Sequence, residues 1–569
     1  MVTVPQLRDA SFGGLREASA SLGRLAQKLE ALEGQYRTTV VTTASRSYWE
    51  GTANAASKPA IDTAGRLMEV ASAEVRNMVV AVDSATEEFV AAQNQLRATL
   101  TAAKSEGFVI GDDGSVSWPP EQTPAGTDPA EAEAAETRKS DRGTAISFEI
   151  LGALVRATNA DTSAAQALRV FAQATALDVS GPDGAARLAR IQADGKLAVD
   201  LAGGLDASDI PPAGSDPKAV SAWWRAQSPN VQLAYLQAYP DRVGGLNGVP
   251  VVARDEANRT TMALELADLQ RREATLDPQE RRTLAALRKL DTQLTDQASD
   301  REGDAKPIYL IDIDTSGDGK WAVAVGNPDT AANTAVQVPG LNTDIEEISG
   351  EIDKARRLQF AADMQTPAAD DVAVVTWLGY DAPELALEQP NTSVMGTGRA
   401  EAGAPALDQF VDTLRTTHEG DRDRLTVVGH SYGSAVVGSA ASQHTLDADD
   451  IVVVGSPGTN TSHVSQMNMQ NGHVWSGAAS DDYVARLPQA AEAAAYAPIP
   501  GAPAIPGAYP MGAAPQDVDY GANRFDVDTS GHSNYWDPGS ESVRNIGAIT
   551  VGNYQDVTLN HGTAPAGAR

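Results

Sequence analysis

The stretch from Arg424 to Ala440, RLTVVGHSYGSAVVGSA, restricts the possible folds more than any other part of the chain. Leu425, Val427 and Val428 read as a short buried strand, Gly429-His430-Ser431-Tyr432-Gly433 as a tight turn, and the small residues from Ser434 onward as a helix. A serine in such a turn needs glycine on both sides, because a β-carbon at either flank would collide with the strand or the helix behind it. This G-x-S-x-G pattern between strand and helix is a nucleophile elbow, and it makes Ser431 the candidate catalytic serine. The following helix directs its N-terminal amides at any oxyanion formed beside Ser431.

Composition narrows the rest. At 569 residues the chain has room for about three or four domains, and a 42% hydrophobic content is that of a folded chain with sizeable cores. A formal charge of -32, from 76 acidic and 44 basic residues, repels phosphate backbones and anionic lipid surfaces, so nucleic acid is not an expected partner. The absence of cysteine excludes disulfides, thiol nucleophiles and thiolate metal sites. Met1–Leu15 lacks the basic and apolar runs of a Sec-type signal, and no stretch reaches the roughly 20 apolar residues of a membrane span. A soluble chain without a transmembrane segment is expected.

Residues 1–110 read as a hairpin of two long helices. Leu15, Ala18, Leu22, Leu25, Leu29, Leu32 and Tyr36 form one three-four stripe, and Val75, Met78, Val82, Ala85, Phe89, Ala92 and Leu96 form a second. Between them lies Ser47-Tyr48-Trp49-Glu50-Gly51-Thr52. Trp49 and Gly51, at the bend of a helical hairpin, resemble the WXG family of small proteins exported by type VII secretion systems. That resemblance implies binding of a helical protein partner, self-association through residues 1–110, or export without a cleaved signal. Packing alone explains the same residues, with Trp49 plugging the hairpin end and the chain staying cytoplasmic. The Tyr-x-x-x-Asp/Glu signal usual after the second helix of that family does not follow Leu100; Tyr380 to Glu384 matches its letters but lies in the later globular region.

Residues 111–140 are acidic and rich in proline and glycine, and read as a linker. Region 141–300 reads as helical. Ile146, Ile150, Leu154, Leu168, Phe171 and Leu177 suggest two or three short helices, and Leu264 to Leu294 a helical pair broken near Asp277-Pro278. The adjacent Trp223 and Trp224 read as core or interface anchors. From Pro307 the period changes to strands at Tyr309–Asp314, Trp321–Val325 and Thr334–Val338. Asp312, Asp314, Ser316 and Asp318 imitate a calcium loop, but its twelfth position is Val323 and strands flank it, so a hairpin turn is expected and no metal site. No cofactor is expected either. Helices near 344–360 and 407–417 then alternate with strands at 372–377, 425–429, 451–454 and 474–477. This alternation predicts a mostly parallel sheet with helices on both faces over 301–555, followed by a flexible tail, 556–569.

The Trp-Trp segment, Leu246-Asn-Gly248-Val-Pro250, Val338-Pro339-Gly340, Val428 to Ser434 and Gly531-His532-Ser533 together resemble an actinobacterial α/β-hydrolase family long described only as a domain of unknown function. The resemblance spans about 220 to 550 and implies the α/β-hydrolase fold with a serine-hydrolase triad. The residues complete that triad independently. In this fold the acid follows a late strand and the histidine comes after it. Strand 474–479 runs into Ser480-Asp481-Asp482-Tyr483-Val484, where either aspartate could serve; the family's Asp-x-Val pattern favours Asp482. Of the histidines beyond, His561 falls in a Gly/Ala/Pro tail, whereas His532 precedes the aromatic-bearing Ser533-Asn-Tyr535-Trp536 and is the candidate base. The oxyanion donors expected are the amide of Tyr432 and, from the turn after the third strand, that of Leu341. His430 reads as a packing or hydrogen-bonding residue. Loops 381–404 and 488–520 are candidate walls or lid of the pocket.

The expected activity is cleavage of a carboxylic ester or lipid through an acyl-enzyme. A peptidase or amidase using the same triad, and a catalytically silent interaction protein, are the alternatives.

Overall fold

The structure, a computed structural model, describes residues 2–36, 39–40, 52–119, 128–174, 207–295, 306–366, 372–384, 396–420, 424–469, 473–488 and 510–560. The chain forms two compact units, one holding Met1–Asp209 and Gln227–Tyr239, the other Ile210–Ala226 and Pro240–Arg569.

The first unit is helical. Helix α1 (Val4–Asp9) starts at a capping box between Thr3 and Gln6. Helix α2 (Gly13–Tyr36) packs along α3 (Thr52–Ser105), which packs in turn along α4 (Pro129–Ala174). Gln93 Nε2 on α3 donates to the carbonyls of Leu7 (2.8 Å) and Ala10 (2.9 Å), satisfying groups that the short α1 leaves open at its C-terminus. Val4, Leu7, Ala92, Leu96, Phe108, Ile146, Ile150 and Leu154 close one core.

Three expectations change here. Val82, Ala85, Ala92 and Leu96 are buried on α3 as read, but only part of the α2 stripe faces inward: Leu22, Leu29 and Tyr36 are half-buried alongside the buried Ser19 and Ala26, while Leu15, Ala18, Leu25 and Leu32 are exposed. Small residues at the contact let the two backbones approach, and Ser72 Oγ on α3 reaches the Ala26 carbonyl at 3.5 Å. The 111–140 stretch is not a linker throughout. Val109–Ile110 (β1) and Val116–Ser117 (β2) pair as a hairpin, Trp118 packs edge-on against Phe108, and α4 begins at Pro129. The short helices expected up to Leu168 are one continuous helix to Ala174; Phe171 lies near its end, and Leu177 is outside the described residues. Trp49 and Gly51 are also outside them.

The second unit is built on an eight-stranded sheet. Before it come α5 (Pro217–Ala226), α6 (Val251–Arg271) and α7 (Pro278–Thr295). Leu266, Leu269, Leu284, Leu287, Leu290 and Leu294 lie in the same core as the strands, so the expected middle region 141–300 is split between the two units. Trp224 of α5 is buried. Asn258 explains part of the motif that follows it: its Nδ2 donates to the carbonyls of Ile311 (2.7 Å) and Leu310 (3.1 Å), where a β-bulge interrupts the next strand. Arg254, fully buried, donates to Gly244 O and Asn247 Oδ1.

In chain order follow β3 (Ile308–Asp314), β4 (Lys320–Val325), β5 (Asn333–Val338), α8 (Ile348–Asp363), β6 (Val372–Leu378), α9 (Gly398–Thr417), β7 (Arg424–His430), α10 (Gly433–Gln443), β8 (Asp450–Val454), β9 (Val474–Gly477), β10 (Asn523–Arg524) and α11 (Glu541–Thr550). The spatial order is β10-β9-β8-β7-β5-β6-β4-β3. Every pairing from β6 to β10 is parallel, whereas β4 runs antiparallel to both β3 and β6. Every residue of β6 and β8 is buried, as strands covered on both faces require. The acidic stretch at 312–318 closes the β3–β4 hairpin. This is the α/β-hydrolase fold, with an all-helical N-terminal unit.

Candidate active site

Ser431 sits where β7 ends and α10 begins, with φ of 54°, a left-handed value that a residue with a side chain adopts only when its surroundings hold it there. Its amide donates to Val454 O (3.1 Å), which ties the turn to β8. The flanking glycines are steric necessities. A Cβ on Gly433 would run into the Val338 carbonyl, and one on Gly429 would lie 2.7 Å from Ser434 Cα. Gly340 approaches from β5: a Cβ there would lie 2.7 Å from Ser431 Cβ and 3.0 Å from Tyr432 N, so the turn after β5 runs directly beside the serine.

His532 Nε2 is 2.8 Å from Ser431 Oγ, and its Nδ1 is 2.9 Å from Asp482 Oδ2. The serine is 5% exposed and the carboxylate fully buried, while the His532 side chain keeps 21% of its surface open. The structure thus brings together Ser431, His532 and Asp482, three residues far apart in sequence. Asp482 receives four donors: His532 and the Tyr535 hydroxyl (2.7 Å) on Oδ2, and the amides of Val484 (2.8 Å) and Ala485 (3.4 Å) on Oδ1. Burial raises the Asp482 carboxyl, but the hydrogen bonds from His532 and Tyr535, aided by the others, outweigh it and hold the group below the usual carboxylate range. Asp481 has a different task. It accepts from Gly531 N (2.8 Å) and the Ser530 hydroxyl, clamping the loop that presents His532.

Leu341 is half-buried in the turn beside the elbow, and Asn342 (φ 56°) donates its amide to Pro383 O. Tyr380, buried beneath this turn, donates its hydroxyl to Pro339 O (2.8 Å) and stacks on Tyr432, the residue after the serine. Tyr432 Oη in turn donates to Gly396 O and accepts from Ala400 N at the head of α9. Sequence reasoning took Tyr535 only as an aromatic of the loop after His532 and Tyr380 only as a residue at the edge of the site, and missed the hydrogen bonds that their hydroxyls make. The signal for Tyr535 was its place in the aromatic-bearing loop three residues after His532, and that for Tyr380 its position just past β6. Tyr483 is 72% exposed, its ring centroid 6.3 Å from that of His532. Of the two candidate wall loops, 385–395 and 489–509 are outside the described residues. Among the described residues no group of acidic or histidine side chains could hold a metal ion.

Residues 314–492 match the family described as Alpha/beta hydrolase. An uncharacterized protein of Mycobacterium bovis is 34% identical over 229 residues, which cover 39% of this chain and 77% of that protein. The chain belongs to the alpha/beta hydrolase family. A longer uncharacterized protein of Mycobacterium tuberculosis is 32% identical to this chain over 410 residues, or 64% of this chain and 61% of the relative, so the chain spans about three fifths of that relative's length. Among solved structures, a Pyrobaculum calidifontis esterase is similar over 51% of this chain and 98% of its own chain, at 12% identity and a TM-score of 0.27. The region matched by the family contains Ser431 and Asp482; His532 lies beyond it.

Proposed function

We propose that the protein is a serine hydrolase that cleaves a carboxylic ester or lipid through an acyl-enzyme. The supporting observation is the unbroken line from Ser431 Oγ through His532 (2.8 Å) to Asp482 (2.9 Å), mounted on a serine held at φ 54°. A neutral serine hydroxyl is a weak nucleophile, so His532 Nε2 takes its proton as Oγ bonds to the carbonyl carbon. The same proton passes to the departing alkoxide, the C–O bond breaks, and Oγ stays acylated. Water, deprotonated by His532, then releases the acid and restores the hydroxyl. Asp482 keeps the proton of the resting imidazole on Nδ1 and balances the imidazolium. The amides of Tyr432 and Leu341 are assigned to the oxyanion, a reading supported by the approach of Gly340 to both Ser431 and Tyr432 N.

Fluorophosphonate labelling of the purified protein tests this. The wild type is expected to label, and Ser431→Ala and His532→Ala are expected not to. A folded wild type that stays unlabelled overturns the reading. Matched ester and amide substrates then separate an esterase from an amidase.

For the N-terminal helices we propose docking of a helical protein partner, with export as its physiological setting. The exposed heptad Ala18, Leu25 and Leu32 on α2 supports it. Co-purification from the native host of the full chain, beside Leu25→Ser/Leu32→Ser, should recover a helical partner with the former only. Equal recovery, or none with either, sinks the idea.

A further inference from the structure

We infer that His430, the residue before the nucleophile, is a positioning residue that holds the main chain of His532 while the adjacent Ser431 engages the ring of that same residue. The inference rests on the catalytic reading above. His430 Nε2 lies 2.8 Å from the His532 carbonyl oxygen, and because a carbonyl only accepts, that nitrogen carries the proton. His430 is the last residue of β7 and pairs with Val454 of β8, so the donor is rooted in the sheet. The recipient is not: His532 sits outside any helix or strand, next to Gly531 at φ 80°. Its loop is gripped on the other side by Asp481, through Gly531 N. One dipeptide, His430-Ser431, therefore meets His532 twice, at the backbone and at the ring, and this fixes the separation of nucleophile and base.

The contact is built to work without charge. The His430 ring lies 4.9 Å from that of His532 and meets Trp536 edge-on at 5.0 Å, with Tyr535 5.9 Å away. Burial, then Lys354 of α8, then the His532 ring push the His430 imidazole down to about 3, against smaller upward pulls from its hydrogen bond to the His532 carbonyl and from Asp482. Lys354 is itself paired with Glu351 and lies over the Trp536 ring. A neutral donor beside His532 leaves the imidazolium formed during attack unopposed, which a cation at that distance would not.

The test compares His430→Phe, which keeps a ring but loses the donor, with His430→Gln, whose amide nitrogen reaches a similar point. Both are first shown to unfold cooperatively. The rate of fluorophosphonate labelling is expected to fall about 10- to 100-fold in the Phe variant, the scale on which misplaced groups lose rate, and to stay within about threefold of wild type in the Gln variant. In parallel, proton NMR follows the downfield Nδ1–H of His532, expected to be sharp in the wild type and Gln variant and broadened in the Phe variant. Equal labelling by Phe variant and wild type, or equal loss in both variants, overturns the inference. An unlabelled wild type overturns the serine-hydrolase reading instead. In that case the NMR signal still decides the positioning claim, which fails if the Phe variant leaves it unchanged.

Discussion

The Tyr535 hydroxyl lies 2.7 Å from Asp482 Oδ2, the same oxygen that faces His532 Nδ1. Tyr535 is fully buried, and its oxygen also accepts from Ala479 N (3.1 Å), so it joins the segment after β9 that carries Asp482 to the loop that carries His532. Tyr535→Phe removes one donor from the carboxylate and leaves the Ala479 amide unpaired. A loss of about 1–3 kcal/mol in urea unfolding is expected, with slower fluorophosphonate labelling. Unchanged values in both measurements would show that the hydroxyl is dispensable.

Asp481 and Asp482 separate by magnitude. Asp482→Asn disturbs the tautomer of His532, and turnover of an activated ester should fall by about four orders of magnitude. Asp481→Asn weakens only the grip on Gly531 and Ser530, an exposed contact, and should cost about tenfold or less. Comparable losses in the two variants would reverse or merge these roles.

Glycine substitutions give a contrast in stability. Gly433→Ala places a methyl against the Val338 carbonyl, a backbone atom that cannot yield, and should cost more than about 4 kcal/mol or prevent folding. Gly350→Ala, in α8 with nothing within 4 Å of the new methyl, should stabilise by about 0.5–1 kcal/mol. Thermal melts of the two variants should move in opposite directions.

His430 also predicts an acid weakness. Its imidazole titrates at 6.5 in the unfolded chain and near 3 when folded, so between these values the unfolded state binds the extra proton and stability rises with pH. Going from pH 7 to pH 5 should therefore cost on the order of 1–2 kcal/mol. In His430→Gln that part of the loss should vanish, leaving the carboxylate contribution, which for Asp482 sets in at lower pH because its pKa is depressed. Urea midpoints at the two pH values for both proteins measure the difference; identical pH slopes would contradict the assignment.

Much of this was legible in the chain because the constraints are local. The elbow needs glycines at fixed offsets, and fully buried strands read as runs such as Val372-Ala-Val-Val375, so the strands from β3 to β9 fall within a few residues of their expected places. The chain order of serine, acid and histidine brought Ser431, the pair Asp481-Asp482 and His532 forward before any geometry, and the family resemblance favoured Asp482 of the two. The partners of the Tyr535 and Tyr380 hydroxyls and the grip of Asp481 were not legible, since each acts across a fold-dependent gap on a backbone atom or a carboxylate. The α2 stripe misled for a related reason. Leucine periodicity marks an apolar face, but close helix contact selected Ser19 and Ala26 beside it.

The division of the chain has a consequence for inheritance and for engineering. Residues 210–226 belong with the sheet, 227–239 with the helical unit, and 240 onward with the sheet again, so the backbone is laced between the two rather than strung through a single joint. Gly248 shows what the lacing secures: a side chain there would strike the Pro217 carbonyl at the start of α5. A gene fragment cut just before Pro240 would strip that surface bare, and one cut before Ile210 would carry along the helix Pro229–Ala238, orphaned from α3. A cut that keeps each unit's own contacts must therefore carry 210–226 with the sheet and 227–239 with the helices.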